Sequence, residues 1–402
     1  MLENNRNSNG SPLGRFRVLD LTQVLSGPHC TQMLADLGAD IVKVERPGYG
    51  DDLRNTLAYT GREEHQDYFY ANNRSKRSIA LDLKSEQDRD IARALAREAD
   101  IVVENFAPGT AARLGMAWDD LKPINPRLVY CSISGFGQTG PYRDRLALDP
   151  VIQAVAGIMS VTGTQDGPPL QIGAPLADVM AGMYAAYAIV GALHGVRDSG
   201  EGRYIDISMQ ETMLAALGPR MGETLQAGKL PGRHGNGNPL RVPAESYRTA
   251  DGRYIAIICM SDRFWPPICR AIGRGDLAKD PRYVKMVDRV AARAAIDAMI
   301  GEIFAQRTVD EWIPVLEAER VPFARVNDYG EALADEQVAH RELVRELEHP
   351  TSGTIRLVGP PWKMTGDTLA SQPPPLLGQH SSEILQDWLG WNEDRIEAFE
   401  RR

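Results

Sequence analysis

The sequence predicts an α/β protein: a large domain built on a doubly wound, mainly parallel sheet, followed by a smaller α+β domain. Three observations carry this reading. Short apolar runs alternate with helical patterns through the first half of the 402 residues, the rhythm of strands joined by crossover helices. The strand runs are apolar almost without interruption, as in a parallel sheet covered on both faces. Between Gly228 and Pro243 the composition turns abruptly to Gly, Pro, Asn, Arg and His, and beyond it the rhythm changes, opening on a hairpin signal at Asp251-Gly252.

In chain order, the polar start MLENNRNSNGSP has no apolar stretch and reads as a tail. RVLDLT, from Arg17, is a first strand. A Gly27-Pro28 break leads into the helix HCTQMLADLGA, and DIVKVE is the second strand. SIALDL (Ser78 to Leu83), a charged amphipathic helix from Ser85 to Ala99, DIVVENF and LVYCSISGFG continue the pattern. The stretch from Gln171 to Arg197 is broken at Gly173 and Pro175 and then almost wholly small or apolar, so it predicts a buried helix beginning at or just after Asp178. YIDIS alternates cleanly and is followed by the helix MQETMLAALG. Residues from about 244 to 330 form the α+β unit. The tail returns with a strand pair around Val344 to Val358 and a final helix from Ser381 to Leu389.

A net charge of −9 excludes a general nucleic-acid binder, which needs a basic surface. Cys30, Cys131, Cys259 and Cys269 show no metal-ligand spacing and suit small apolar fillers in a reducing cytoplasm. The longest apolar run, Met180 to Leu193, is short of the roughly 20 residues that span a bilayer. No G-x-G-x-x-G follows the first strand, so a simple nicotinamide-binding reading lacks its main support.

Chemistry is expected where loops leave the carboxyl ends of the strands. Asp178 is the one charge at the mouth of an apolar helix, and the helix dipole there favours an ionised, outward-facing carboxylate. It reads as a nucleophile or as a simple N-cap, and nothing local decides between them. Basic residues gather at strand ends, namely Lys43, Arg46, Arg74, Lys76, Arg77 and Arg113; together they suit a ligand with several phosphates, singly they are surface charges. The loop HGNGN, His234 to Asn238, has the backbone freedom to close over a substrate, or is a linker of the same composition. His194 reads as a core residue, and His29 lies near the first strand end without an assignable partner.

RVLDLTQVLSGPHCTQMLADLGADIVKVERPGYGDD, NNRSKRSIALDLK, DIVVENFAPGTAARLG, SISGFGQTGPY, PLADVMAG, GRYIDISMQE, GRHGNGNP and LLGQHSSEIL, in this order, resemble the family III CoA-transferases, the CaiB/BaiF group. The resemblance runs from about Arg15 to Leu389. It implies a homodimer of ring-like chains threaded through each other. On this chain the layout becomes a disordered tail over 1–14, a large CoA-binding domain over 15–197 completed by 335–402, a linker with the glycine-rich loop over 198–243, and a small domain over 244–334.

The resemblance also implies a cytoplasmic CoA-transferase with coenzyme A as a substrate, no resident cofactor or metal, and Asp178 as the nucleophile that passes through a mixed anhydride and an aspartyl-CoA thioester. Leu25, Arg46, Lys76, Arg77, Asn105, Phe106 and Arg113 fall at CoA-binding positions, with Asn105-Phe106 near the adenine. His234, Gly235, Asn236 and Gly237 fall in the mobile loop that shields the intermediates. The loop lacks the consecutive glycines of formyl-CoA transferase, and Leu25 stands where that enzyme has Gln, departures that argue against an oxalate-specific enzyme. The alternative on the same fold is an α-methylacyl-CoA racemase, which needs a His/Asp pair of bases. Here Leu148 occupies the position of the His.

Overall fold

The computed structural model describes residues 10–56, 66–218, 221–365 and 371–401. The chain divides into two compact units, one comprising the residues up to Ile158, Gln171–Gly222 and Ala339 onward, the other Met159–Leu170 and Glu223–Val338.

The first unit is built on six parallel strands: β1 Arg17–Asp20, β2 Asp40–Glu45, β3 Lys76–Ala80, β4 Ile101–Glu104, β5 Val129–Ser134 and β6 Arg203–Ser208, in the spatial order β3-β2-β1-β4-β5-β6. The order reverses between β1 and β4. This is the topological switch point, and such sheets bind ligands at the carboxyl ends of the strands there.

Helix α1 (Ser26–Asp36) follows β1 and ends at Gly38, whose φ of +94° terminates it. The amphipathic α2 (Glu86–Glu98) buries Ile91, Ala92, Leu95 and Ala96 on the opposite face. Helix α3 (Asp149–Val155) precedes the long α4 (Leu176–Ser199), which starts two residues before Asp178 and ends at Gly200 with φ +74°. α4 is 24 residues long, apolar enough by length and composition to cross a membrane and longer than the apolar run suggests. Its packing against α1, β5, β6 and the next helix α5 (Met209–Leu217) identifies it as a core helix. One core, with Val18, Leu34, Ile41, Val103, Ile133, Ala181, Ala185 and Ile189, fills the α1/α4 face; the other, with Leu19, Val42, Leu95 and Val102, fills the α2 face.

Several expectations change. Leu13 is buried in the first core and its N–H donates to the Leu37 carbonyl at 2.9 Å, so the tail is shorter than 1–14; residues 1–9 lie outside the described ones. Segment 198–243 is not merely a linker, because pairing of Arg203–Ser208 with β5 makes it the sixth strand and residues up to Gly222 stay with the sheet. From Ala339 the chain returns to the first unit, adds the antiparallel pair β10 (Val344–His349) and β11 (Gly353–Val358), and lays Ser381–Leu389 on α2 and β3. A further helix, Glu393–Glu400, follows.

The second unit carries an antiparallel sheet of β7 (Ala244–Arg248), β8 (Tyr254–Ile258) and β9 (Phe323–Arg325). Gly252, at φ +79°, takes the turn between β7 and β8. Trp265, Ile300, Phe304 and Trp312 fill its core. Arg289 is fully buried there, with its guanidinium bonded to the Val242, Tyr283 and Val284 carbonyls and to Asp262.

Candidate active site

Asp178 stands in the first turn of α4 and is not its N-cap. That role is taken from another element: Asp149, at the start of α3, accepts the Ala177 N–H at 2.6 Å and the Asp178 N–H at 3.4 Å through Oδ2. Gln153 holds Asp149 in place by donating to its Oδ1 at 2.6 Å, while accepting the Ile172 N–H at 2.9 Å. With the helix amides satisfied by Asp149, the carboxylate of Asp178 is left for other work. This removes the simple N-cap reading of Asp178.

Its ionisation also differs from expectation. Burial, followed by the nearby charge of Asp149, raises its pKa to about 7, and a hydrogen bond from the Ser26 hydroxyl works in the other direction. The helix dipole does not outweigh desolvation here. Near neutral pH Asp178 is poised between its two states, as catalytic carboxyls often are.

The turn that opens α1 lies close to the first turns of α4 because the two helices touch at a glycine. A Cβ on Gly182, one turn after Asp178, would lie 2.7 Å from the Ser26 carbonyl oxygen, 3.0 Å from His29 Cδ2 and 3.1 Å from the Cys30 nitrogen. Gly27 is needed in its turn, since a Cβ there would come within 2.4 Å of Thr22 Cβ. Asn105, in the loop after β4, fixes the loop after β1. Its Oδ1 accepts the Gln23 N–H and its Nδ2 donates to the Gln23 carbonyl, both at 2.8 Å, and Nδ2 also reaches Ser26 Oγ at 3.3 Å. Leu25, half-buried, is the residue before α1 and its carbonyl accepts the His29 N–H.

The basic residues separate into two groups. Lys43 and Lys76 are fully buried beneath the strand ends. Lys43 bonds the Thr22 carbonyl and Asp51; Lys76 bonds Asp20, Asn73 and the Pro28 carbonyl at 3.1, 2.8 and 3.0 Å. Burial brings Lys76 down to about 8, while Asp20, despite its own burial, is held at about 2 by Lys76, Lys43 and two threonine hydroxyls. Lys76 is thus an internal counter-ion with its donors occupied and not a phosphate contact. Arg77 likewise pairs with Asp40, Glu383 and Asp387, tying the helix Ser381–Leu389 to β3, and Arg74 pairs with Asp36. Asn105 holds a loop, and Phe106, half-buried, packs against the α2-face core.

Arg46 and Arg113 remain at the surface. Arg46 is half-exposed, pairs with Asp52 at 2.5 Å and covers the Tyr49 ring at 4.4 Å. Arg113 is exposed and donates to Thr110 Oγ1 at 2.6 Å. Sequence reasoning missed Arg143, from the loop after SGFGQTGPY, whose guanidinium approaches Arg113 over Gly109: a Cβ at Gly109 would be 3.4 Å from Arg143 Nη2 and 3.5 Å from Arg113 Nη1. Neither guanidinium pairs with a carboxylate among the described residues, and two such groups over one glycine have the chemistry that suits a polyanion.

His234, Gly235, Asn236 and Gly237 belong to the second unit, where the Gly235 N–H donates to the Gly163 carbonyl at 2.8 Å. His194 is exposed on α4 and is no core residue. His29 lies 3.3 Å from Asn72 Oδ1, and burial lowers its pKa, favouring the neutral ring. Leu148 is 70% exposed, next to Asp149. All four cysteines are free and buried.

The profile of the family described as CoA-transferase family III matches residues 13–381. Human succinyl-CoA:glutarate CoA-transferase is 35% identical over 391 residues, 97% of this chain and 89% of that protein. Acetyl-CoA:oxalate CoA-transferase of Acetobacter aceti is 38% identical over 356 residues, 88% of this chain and 90% of that one. The crystal structure of a CaiB/BaiF family protein from Brucella suis superposes with a TM-score of 0.85 at 36% identity, covering 94% of this chain and 100% of that one.

Proposed function

The chain belongs to the family III CoA-transferases and is a CoA-transferase, and from that premise we propose that it moves CoA from a dicarboxylyl-CoA to a free dicarboxylic acid through covalent intermediates on Asp178. The observation that carries the assignment is Asp178 itself: a carboxyl in the first turn of α4, relieved of capping by Asp149 and raised by burial to about 7.

Asp178 attacks the acyl carbon of the donor, the C–S bond breaks, and a mixed anhydride and CoA thiolate result. The thiolate then attacks the Asp178 carbonyl carbon and expels the donor acid as its carboxylate, leaving an aspartyl-CoA thioester. The acceptor carboxylate attacks that thioester, and the returning thiolate completes the exchange. Dividing one transfer between carboxylates into steps of similar energy is what a nucleophilic carboxylate offers.

CoA is a substrate here and no resident group is required. Arg46, Arg113 and Arg143 are assigned to its phosphates, and His234–Gly237 to shielding the intermediates, supported by the left-handed φ of Gly235 and the loop's composition. Donors such as succinyl-CoA and acceptors with two carboxylates are supported by the names of the relatives; glutarate and oxalate enzymes are about equally similar, so overall identity does not choose between acids. A second copy of the chain, interlocked with the first, is supported by Met183, Tyr187 and Val190, which form an exposed apolar stripe on α4, Tyr187 at 80% exposure. A cytoplasmic location is supported by the four free cysteines. The racemase alternative lacks its second base, since Leu148 offers no proton acceptor.

The test is incubation with succinyl-CoA and a panel of acids, following CoA exchange by mass, for the wild type and Asp178→Ala. Transfer by the Ala variant at the wild-type rate refutes the nucleophile. Exchange of a substrate α-proton with deuterated solvent in the absence of CoA transfer refutes the reaction.

A further inference from the structure

We propose that Gln153 is a positioning residue of the transfer, its buried side-chain amide holding Asp149 against the opening amides of α4 so that the Asp178 carboxylate stays free for substrate. This rests on the reading of Asp178 as the covalent nucleophile.

The need arises at the start of α4. The N-cap there is Pro175, which has no side-chain acceptor, whereas the amides of the second and third helical residues ordinarily find their acceptor on the N-cap side chain. In α4 those amides belong to Ala177 and Asp178, and Asp149 Oδ2 accepts both from another helix, at 2.6 and 3.4 Å. An aspartate at the third helical position is itself the local carboxylate for unpaired opening amides. With Asp149 turned away, the Asp178 side chain folds back onto its own turn and the nucleophile is lost to capping.

Gln153 prevents that turn. It lies four residues after Asp149, on the same face of α3, and is 0% exposed. Its amide has one possible orientation. The Ile172 N–H can only donate, so Oε1 faces it at 2.9 Å; the Asp149 carboxylate and the Ala174 carbonyl can only accept, so Nε2 faces them at 2.6 and 3.3 Å. One side chain thus fixes Asp149 from behind and ties down the segment 172–174 that leads into α4. Both oxygens of Asp149 are then committed, Oδ1 to Gln153 and Oδ2 to the helix. Gln153 acts on the reaction only through Asp149 and the start of α4, so its loss appears in kcat and not in the binding of acyl-CoA.

The experiment uses the full chain with succinyl-CoA and glutarate as probes. Gln153→Met keeps the volume and removes the hydrogen bonds; Gln153→Glu sets a second carboxylate against Asp149 Oδ1, where like charges repel. Each is expected to lower kcat about 10- to 100-fold, as misplacement on the order of 1 Å does, with KM for succinyl-CoA changed less than about twofold. Combining Asp149→Asn with Gln153→Glu exchanges amide and carboxylate: the new amide oxygen accepts the Ala177 N–H, its nitrogen donates to the new carboxylate, and that carboxylate still accepts the Ile172 N–H. The exchange variant is therefore expected to return to within about fivefold of the wild-type kcat, and it decides the matter even where a single variant fails to fold. Single variants at the wild-type kcat, or an exchange variant that melts as the wild type does yet stays at least about 10-fold slower, overturn the role of Gln153. Turnover in hydroxylamine, followed by peptide mass, reads the hydroxamate formed on Asp178, and its absence in the active wild type overturns the reading beneath.

Discussion

The contact between α1 and α4 makes a quantitative prediction at Gly182. Replacing a helical glycine with alanine ordinarily stabilises by about 1 kcal/mol. At position 182 the new methyl carbon would sit 2.7 Å from the Ser26 carbonyl oxygen, whereas ordinary van der Waals contact begins at 3.4 Å. The opposing atoms are backbone, so relief requires α1 to move away by about 0.7 Å, with an overpacking cost of about 1–3 kcal/mol. The cost offsets or exceeds the propensity gain, and Gly182→Ala is expected to lose up to about 2 kcal/mol by urea denaturation. The shift also carries Ser26 away from Asp178, and displacement on this scale is expected to lower kcat at least 10-fold. Gly195→Ala, on the same helix with nothing within 4 Å of the new carbon, is the control and is expected to gain stability. If Gly182→Ala proves as stable and as active as the wild type, the tight crossing does not position the nucleophile and the reasoning fails.

Asp149→Asn removes the charge that helps raise Asp178 yet keeps a side-chain oxygen for the Ala177 amide; since the active form is ionised, the acid limb of kcat, expected near pH 7, moves to lower pH, and stopped-time assays from pH 5 to 9 measure it. Glu104, sealed beside Ser132 and the Phe106 amide, is raised by burial from 4.5 to about 7. The folded chain therefore holds this proton more tightly than the unfolded one, and its stabilising effect is complete below about pH 4.5 and is lost as pH rises through 7. At about 1.4 kcal/mol for each pH unit, Glu104→Gln is expected to be more stable than the wild type by up to about 3 kcal/mol at pH 8 and equal to it at pH 4, read by denaturant titration at both values. Arg113→Ala and Arg143→Ala are each expected to raise KM for acyl-CoA several-fold with kcat unchanged, whereas Lys76→Met, which leaves Asp20 buried without its counter-ion, is expected to cost about 3–5 kcal/mol of stability, measured by unfolding.

The sequence by itself determined the sheet and its family. Uninterrupted apolar runs such as DIVKVE and DIVVE have few other places to go than a strand covered on both faces, and a lone carboxylate ahead of the small and apolar run Val179 to Leu193 marked Asp178 whatever its partners. It did not reveal what those partners do, because charge is read from sequence without its distance to other charges. Lys76, Arg77 and Asn105 have the side chains of phosphate and adenine ligands, yet the fold brings Asp20, Asp40 and the Gln23 peptide within bonding range of them from positions 37 to 82 residues away. Arg143 lies in a loop 30 residues from Arg113, and no spacing in the sequence shows that the fold brings both guanidinium groups over Gly109. The titration of Asp178 was decided only when α3 delivered Asp149 and α1 delivered Ser26, for a pKa depends on burial and neighbours that exist only after the chain has closed on itself.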